Sequence, residues 1–220
     1  MRVKMLWVLT VMAVTVTTMA VAAVRVDEIP EYNASKYSQK VTGCDLLAGH
    51  PNDPYKVVVG LEKRDMDLPA AIAACKVAVE RDPKNPRLNY QLARVYGYSG
   101  QGEKALPYRA TALATGYPQA MMVYGFLYHS GWNKMPLDKC LAGELQHRSA
   151  LHGLASTRFV WWALEGDWDG CSGVKVDLQE MLGFLDAADK GFVAGSSDPY
   201  PKAINDMLRD KIKARMAKKK

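Results

Sequence analysis

The sequence lacks the short motifs that mark several large classes of enzyme. Its 220 residues contain no G-x-S-x-G nucleophile elbow, no glycine-rich phosphate loop, no H-E-x-x-H zinc helix and no Rossmann fingerprint. Closely spaced cysteine pairs of the zinc type are also missing, and His147 and His152 point to different sides of a helix. We therefore expect a protein that is not an enzyme, with no catalytic residue, no metal ligand and no cofactor.

An even distribution of positive charge is missing as well. The chain has 29 Lys and Arg against 23 Asp and Glu, but seven of the basic residues lie between Arg209 and Lys220, beside the single acidic residue Asp210. The rest of the mature chain is slightly acidic, so the high isoelectric point does not indicate nucleic-acid binding. A basic helix end is stabilised by the negative pole of its own helix. Weak contact of this tail with an anionic membrane is the alternative.

The first segment predicts export. Residues 5–24 carry no charge and follow Arg2 and Lys4, and residues 20–22 (Ala-Val-Ala) form the small-x-small pattern of a cleavage site. These features predict a signal peptide over residues 1–22. The uncharged run is also just long enough to span a bilayer, so an uncleaved N-terminal membrane anchor is the alternative. We expect an exported protein, periplasmic or secreted after cleavage.

Four cysteines in an exported chain predict two disulfides. Three pairings are possible from the sequence. Cys44 and Cys75 are separated by 31 residues, and so are Cys140 and Cys171. This equal spacing, with one pair in each half of the chain, favours Cys44–Cys75 and Cys140–Cys171.

Helices separated by turns account for most of the chain. Residues 23–43 are polar and lack an apolar period, which predicts a linker. Residues 44–198 read as a helical repeat domain, and residues 199–220 as a C-terminal capping helix with the basic tail. Apolar periodicity and stop signals predict helices near 68–81, 86–98, 103–115, 120–130, 138–151, 155–165, 178–190 and 202–217.

Small and aromatic residues recur with a period of about 34 residues, the range of helical hairpin repeats. Leu92, Ala93 and Tyr96, followed by Ala105 and Ala112, resemble a tetratricopeptide repeat. The next unit resembles the related Sel-like repeat through Ala120, Gly125, Leu127, Tyr128, Gly131, Asp138, Ala142, Ala150 and Gly153, and its ending recurs at Ala187, Ala188 and Gly191.

The resemblance covers residues 69–191. It implies an all-α fold, a short right-handed solenoid of helix-turn-helix repeats capped by a C-terminal helix. Two residues depart from the tetratricopeptide pattern: Arg109 stands in place of an aromatic residue and Tyr117 in place of proline.

In this family the inner faces of the first helices line a concave groove. The resemblance places eight residues there: Arg87, Tyr90, Arg94, Tyr98, Met121, Tyr124, Tyr128 and Trp132. Tyrosine, tryptophan and arginine are enriched among binding hot spots, and we expect Arg87 and Arg94 to hold a carboxylate in a bidentate fork. Packing of Tyr124 and Tyr128 between hairpins is the alternative. Trp161 and Trp162 are adjacent and cannot both face one core.

The resemblance implies a binding module. We expect an exported bacterial scaffold that holds an envelope protein or peptide in its groove, as a regulator, an envelope or virulence factor, or an inhibitor. A cysteine-rich Sel-like enzyme that binds or hydrolyses β-lactams, and a structural protein at the membrane surface, are the alternatives. The loop with Asp167 and Asp169 resembles part of a calcium loop but lacks the remaining carboxylates.

Overall fold

The computed structural model describes residues 25–193 and 202–218 of the chain. Over these residues the secondary structure is helical, with short 3-10 turns and no strand, which confirms the all-α class. The α-helices are α1 (Gly43–Ala48), α2 (Leu68–Arg81), α3 (Pro86–Tyr98), α4 (Gly102–Leu113), α5 (Pro118–Ser130), α6 (Lys139–Ala150), α7 (Ser156–Glu165), α8 (Leu178–Val193) and α9 (Lys202–Lys218). The predicted signal peptide lies outside the described residues. Among the helices that are described, none has the length and apolar character needed to cross a membrane.

Local sequence signals set the helix ends. Asp67 and Asp138 cap α2 and α6, because each side chain accepts a hydrogen bond from a backbone N–H in the first turn. Gly131 and Gly166 end α5 and α7 in the left-handed conformation that glycine adopts without strain. Proline occupies the first turn of three helices, at Pro69, Pro86 and Pro118.

Each helix packs against the next one along the chain, from α1 to α9. In addition, α1 contacts α3, and α7 contacts α9. Helices α5 and α6 approach closely at Gly125, where a Cβ atom would lie 2.8 Å from Nε2 of Gln146 and 3.1 Å from the carbonyl oxygen of Ala142. A side chain at position 125 would therefore require Gln146 or the two helices to shift.

The two predicted disulfides are confirmed, as Cys44–Cys75 and Cys140–Cys171. The first joins α1 to α2 inside the N-terminal core, where both cysteines are fully buried. The second joins the start of α6 to the loop between α7 and α8, and Cys140 is exposed. Two disulfides are typical of a protein in an oxidising, extracellular environment.

Residues 25–42, which we expected to form a linker, lie against the helices; we call this segment the N-terminal strap. Its first part is held by Arg148 of α6, whose Nη1 donates to the carbonyl oxygens of Val26 and Ile29 at 3.0 and 2.9 Å. Its last part is held by α3 and the turn before it, where Nδ2 of Asn85 donates to the carbonyl oxygen of Ser38 at 3.1 Å.

Between these two points the strap passes over the turn joining α4 to α5. Gly116 lies in that turn with φ +74°, and a Cβ atom on it would be only 2.1 Å from the carbonyl oxygen of Pro30. The strap thus crosses the ends of three successive helix pairs. Hydrophobic periodicity does not detect such a segment, because its backbone carbonyl groups make much of the contact.

Candidate partner-binding surface

The inner face of α3 is covered by the chain itself. Arg87 donates from Nε to Oδ1 of Asp45 at 2.8 Å, and Gln91 donates to the same oxygen at 3.0 Å. Nη1 of Arg87 donates to the strap carbonyl of Ser38 at 3.2 Å. Burial alone would raise the pKa of Asp45, but the hydrogen bonds from Arg87 and Gln91 outweigh it and lower that pKa.

Arg94 is bound in the same way by residues 49–62, which we call the covering loop. Its Nη1 donates to the carbonyl oxygen of Gly49 at 2.8 Å, and its Nη2 to that of Leu61 at 2.7 Å. The guanidinium also lies 5.1 Å from the ring centre of Tyr98. The fork that we expected Arg87 and Arg94 to offer to a carboxylate is therefore used inside the chain.

A cluster of tyrosines fixes the strap and the covering loop to the start of α5. Tyr117, at the N-cap of α5, donates its hydroxyl to the buried carboxylate of Asp53 in the covering loop. Tyr32 of the strap packs edge-on against both Tyr55 and Tyr117, with ring centres 4.6 and 5.1 Å apart. Tyr90 of α3 lies beneath Tyr117 at 5.8 Å. The structure thus places Tyr90, like Arg87 and Arg94, where a partner does not reach it.

The four groove positions expected around α5 divide into two groups. Met121, Tyr124 and Tyr128 are at most 4% exposed and belong to the core, whereas Trp132 is 64% exposed. Phe126, which the resemblance did not select, is partly exposed. One residue along a helix turns the side chain by about 100°, so a small error in the repeat register exchanges the groove face for the packing face.

Five side chains from α5, α7 and the turn after α5 form one continuous surface, which we call the aromatic ladder. Trp132 contacts Phe126 edge-on, with ring centres 5.3 Å apart. The guanidinium carbon of Arg158 lies 5.4 Å from the ring centres of both Phe126 and Trp162. His129 stacks on Trp162 at 3.7 Å. The adjacent tryptophans at 161 and 162 were the sequence signal for this surface, but the partners of Trp162 were not predictable from it.

The loop after α7 supports one side of the ladder. Asp167 receives a hydrogen bond from Lys139 at 2.7 Å and lies 3.5 Å from Nε2 of His129. Trp168 packs edge-on against Trp162, with ring centres 5.8 Å apart. Burial lowers the pKa of His129 in spite of Asp167, so this histidine is neutral at neutral pH. In the part of the chain that the structure describes, no group of three His, Cys, Asp or Glu side chains is placed to hold a metal ion.

The basic tail is partly neutralised by neighbouring helices. Arg209 of α9 pairs with Asp186 and Asp189 of α8, at 2.9 and 2.6 Å. Lys211 pairs with Glu165 of α7 at 3.0 Å. These pairs join α9 to the helices that it packs on. Part of the positive charge of the tail therefore stabilises the packing of α9.

No protein-family model, curated protein or solved structure matches the chain. What the surface can bind therefore follows from its own chemistry. Flat aromatic faces suit a peptide segment with apolar side chains, because aromatic rings bury large areas.

Proposed function

We propose that the chain is an exported binding scaffold that holds a protein or peptide segment on the aromatic ladder. The observation that carries this proposal is the exposure of Trp132, whose side chain is 64% accessible while its ring is held edge-on against Phe126. Exposure of such a large apolar side chain to water is unfavourable, so covering it with a partner lowers the free energy. Its contact with Phe126 restricts part of its motion, which reduces the side-chain entropy lost on binding.

The packing of the helices supports a repeat architecture for the scaffold. Each helix contacts mainly its neighbours along the chain, as in a solenoid of helical hairpins, and small residues stand where those helices approach. Together with the sequence pattern, this supports a right-handed tetratricopeptide or Sel-like array with α9 as its cap. The first helices of such an array are α3, α5 and α7, and the ladder lies on the last two.

The strap shows the kind of contact that these helices make with an extended segment. Arg148, Arg87 and Asn85 all donate to its backbone carbonyl oxygens. Such contacts recognise the backbone rather than particular side chains. The helices and their turns thus already hold one extended segment through its backbone, which supports a second one on the exposed part of the array.

Two features support an exported location. Two disulfides are typical of an oxidising compartment, and residues 5–24 have the composition of an export signal. Periplasmic or secreted placement therefore supports a partner in the cell envelope or outside the cell, as a regulator, an envelope or virulence factor, or an inhibitor would have.

The test is affinity capture from envelope extracts with the purified mature chain and the variant Trp132→Ala. We expect the variant to lose at least about 10-fold in capture of the same partner, since exposed aromatic hot spots contribute on the order of 2 kcal/mol. The matched control is Leu151→Ala, which removes another exposed apolar side chain, 56% accessible, from the turn after α6. Equal capture by Trp132→Ala and the wild type would show that the ladder does not bind the partner. Turnover of a β-lactam by the purified chain would favour an enzyme instead.

A further inference from the structure

Arg109 of α4 differs from the other buried arginines. Arg87 donates to Asp45 and to the strap, and Arg94 donates to three carbonyl oxygens. Arg109 is only 5% exposed, and its Nη1 has no hydrogen-bond partner. Throughout residues 25–193 and 202–218, no carboxylate forms an ion pair with it. A guanidinium in this state is costly, because a buried charge needs an opposite charge or a full set of hydrogen bonds.

The surroundings of Arg109 supply no negative charge. The titratable groups that act on it most are the phenols of Tyr124 and Tyr90. Burial raises the pKa of both tyrosines, that of Tyr124 to about 12, so both are neutral at physiological pH. Burial also lowers the pKa of Arg109 itself, but arginine stays protonated in this range. The site is therefore a cation on which two neutral phenols act most strongly.

A path from solvent reaches this cation over α3. Gly97 is exposed, and a Cβ atom on it would lie 3.5 Å from Nη2 of Arg109. No side chain at position 97 separates the guanidinium from the surface. The next residue, Tyr98, carries two further cations on its ring, Lys63 at 5.4 Å and Arg94 at 5.1 Å. Two further positively charged groups therefore lie at the residue that follows Gly97.

We propose that Arg109 binds a carboxylate that enters over Gly97 and accepts a hydrogen bond from Nη2, the guanidinium atom nearest to that glycine. The planar guanidinium fork matches a carboxylate better than a spherical anion. The proposal rests on the proposed function in one respect: the carboxylate comes either from an acidic side chain or C-terminus of the bound segment or from a free small carboxylate. In both cases Arg109 binds the carboxylate that we expected Arg87 and Arg94 to bind.

The first experiment uses acetate as the probe. Thermal unfolding of the mature chain is followed in sodium acetate and in sodium chloride at equal ionic strength. If acetate binds with a dissociation constant of about 10 mM, about 100 mM acetate raises the unfolding midpoint by about 3 °C. Arg109→Met removes the charge and keeps the length of the side chain. We expect this variant to unfold at a higher temperature than the wild type in chloride, and not to respond to acetate. If the wild type unfolds at the same temperature in both salts, the Arg109 guanidinium is hydrated and does not bind acetate. That result would overturn the proposal.

A second pair of variants does not touch the arginine. Gly97→Leu covers the path and should abolish the acetate response while the helix persists. Gly183→Leu is the control, because position 183 is an exposed helical glycine of α8 with no atom near its Cβ position. It makes the same change in helix propensity and should leave the response intact. A response that survives in Gly97→Leu would contradict entry at this point.

Partner capture distinguishes the two sources of the carboxylate. If the bound segment supplies it, Arg109→Met weakens capture by about 10-fold or more and acetate competes with the partner. If a free small carboxylate is the ligand, capture is unchanged and the acetate response remains specific to Arg109. If Trp132→Ala loses partner capture but still responds to acetate, the ladder and the Arg109 site are separate sites and both proposals are supported. If the wild type responds to acetate but captures no partner, the proposed function is wrong and the Arg109 site stands.

Discussion

Nε of Arg87 lies 2.8 Å from Oδ1 of Asp45, and the two side chains are no more than 2% exposed. The pair joins α3 to α1 across 42 residues of sequence. Asp45 also closes a capping box with Thr42 at the start of α1. One carboxylate therefore fixes the end of the strap, the start of α1 and the face of α3 together.

Removing one partner of this pair should destabilise the fold strongly. Arg87→Met leaves the Asp45 carboxylate buried without its counter-ion, which costs about 3–5 kcal/mol in comparable cases. Urea unfolding followed by circular dichroism measures the change. The double variant Arg87→Met, Asp45→Leu should lose less than the single variant, because it leaves no unpaired charge behind.

The control for this prediction is an exposed ion pair of similar geometry. Lys202 and Asp206 of α9 lie 2.7 Å apart but are 64% and 51% exposed. Asp206→Asn should therefore change the free energy of unfolding by less than about 1 kcal/mol. A loss in Arg87→Met as small as that in Asp206→Asn would show that Asp45 is hydrated when its partner is removed.

The two disulfides should differ in accessibility although both close loops of the same length. Each cross-links residues 31 apart, and the chain-entropy model gives about 3–4 kcal/mol for either one. Cys44 and Cys75 are fully buried, whereas Cys140 is exposed. Mild treatment with a thiol should therefore reduce Cys140–Cys171 first, and mass spectrometry of alkylated peptides identifies which pair has opened. Simultaneous alkylation of both pairs would contradict this order.

Loss of the second disulfide should also weaken binding on the ladder. Cys171 lies in the loop that carries Asp167 and Trp168, and Trp168 packs against Trp162 of the ladder. The variant Cys140→Ser, Cys171→Ser is therefore expected to capture less partner than the wild type at a temperature where both are folded. The matched variant Cys44→Ser, Cys75→Ser should bind normally while it remains folded, because that bridge lies in the N-terminal core.

The sequence predicted α2 to α9 and the two disulfides, but not α1, because the signals for the predicted features are local periodicity, turn residues and cysteine spacing. The first turn at Pro69 and Pro86, and the equal spacing of the cysteine pairs, needed no knowledge of distant contacts. Which residues cover a helix face is a different question. The face of α3 is closed by Asp45, Gly49 and Leu61, which lie 33 to 46 residues earlier in the chain.

The aromatic surface shows the same limit. Aromatic residues occur on several sides of α5, so composition does not tell that Tyr124 and Tyr128 pack inward while Phe126 meets Trp132 outside. Arg109 was visible in the sequence as a departure from the tetratricopeptide pattern that the chain resembles, but its burial was not visible there. Its lack of a partner was not visible, because that depends on every neighbour at once.

His50 should make the fold sensitive to acid. It lies in the covering loop, and its Nδ1 accepts a hydrogen bond from the backbone N–H of Asn52 at 3.0 Å, which requires the unprotonated nitrogen. Burial, together with the charges of Arg94 and Lys56, lowers its pKa from 6.5 to about 3. The unfolded chain therefore takes up a proton below pH 6.5 that the folded chain refuses. The resulting stability is fully present above pH 6.5 and is lost as the pH falls towards 3, with a slope of up to about 1.4 kcal/mol per pH unit.

Denaturant unfolding of the wild type and of His50→Asn between pH 7 and pH 4 measures this contribution. Asparagine keeps an acceptor for the Asn52 N–H but does not titrate, so its pH profile should be flatter. Burial also lowers the pKa of His129 and His152, and both act in the same pH range. The difference between the two proteins, rather than either profile, therefore reports on His50. Parallel profiles would mean that folding does not shift the pKa of His50.

Arg148 should control the first half of the strap independently of the second half. Arg148→Met removes the hydrogen bonds to the carbonyl oxygens of Val26 and Ile29, and water then hydrates these oxygens. We therefore expect the free energy of local opening to fall by about 1–3 kcal/mol in this part of the strap only. Hydrogen exchange measures it, because the amide of Ile29 is bonded to the carbonyl oxygen of Val26 within the released turn. Its protection should fall, whereas the amide of Tyr37 should keep its protection, since Asn85 and Arg87 still hold that half. Equal loss at both amides would show that the strap opens as one unit, and no loss at Ile29 would show that the packing of its side chain, rather than the arginine, holds the strap in place.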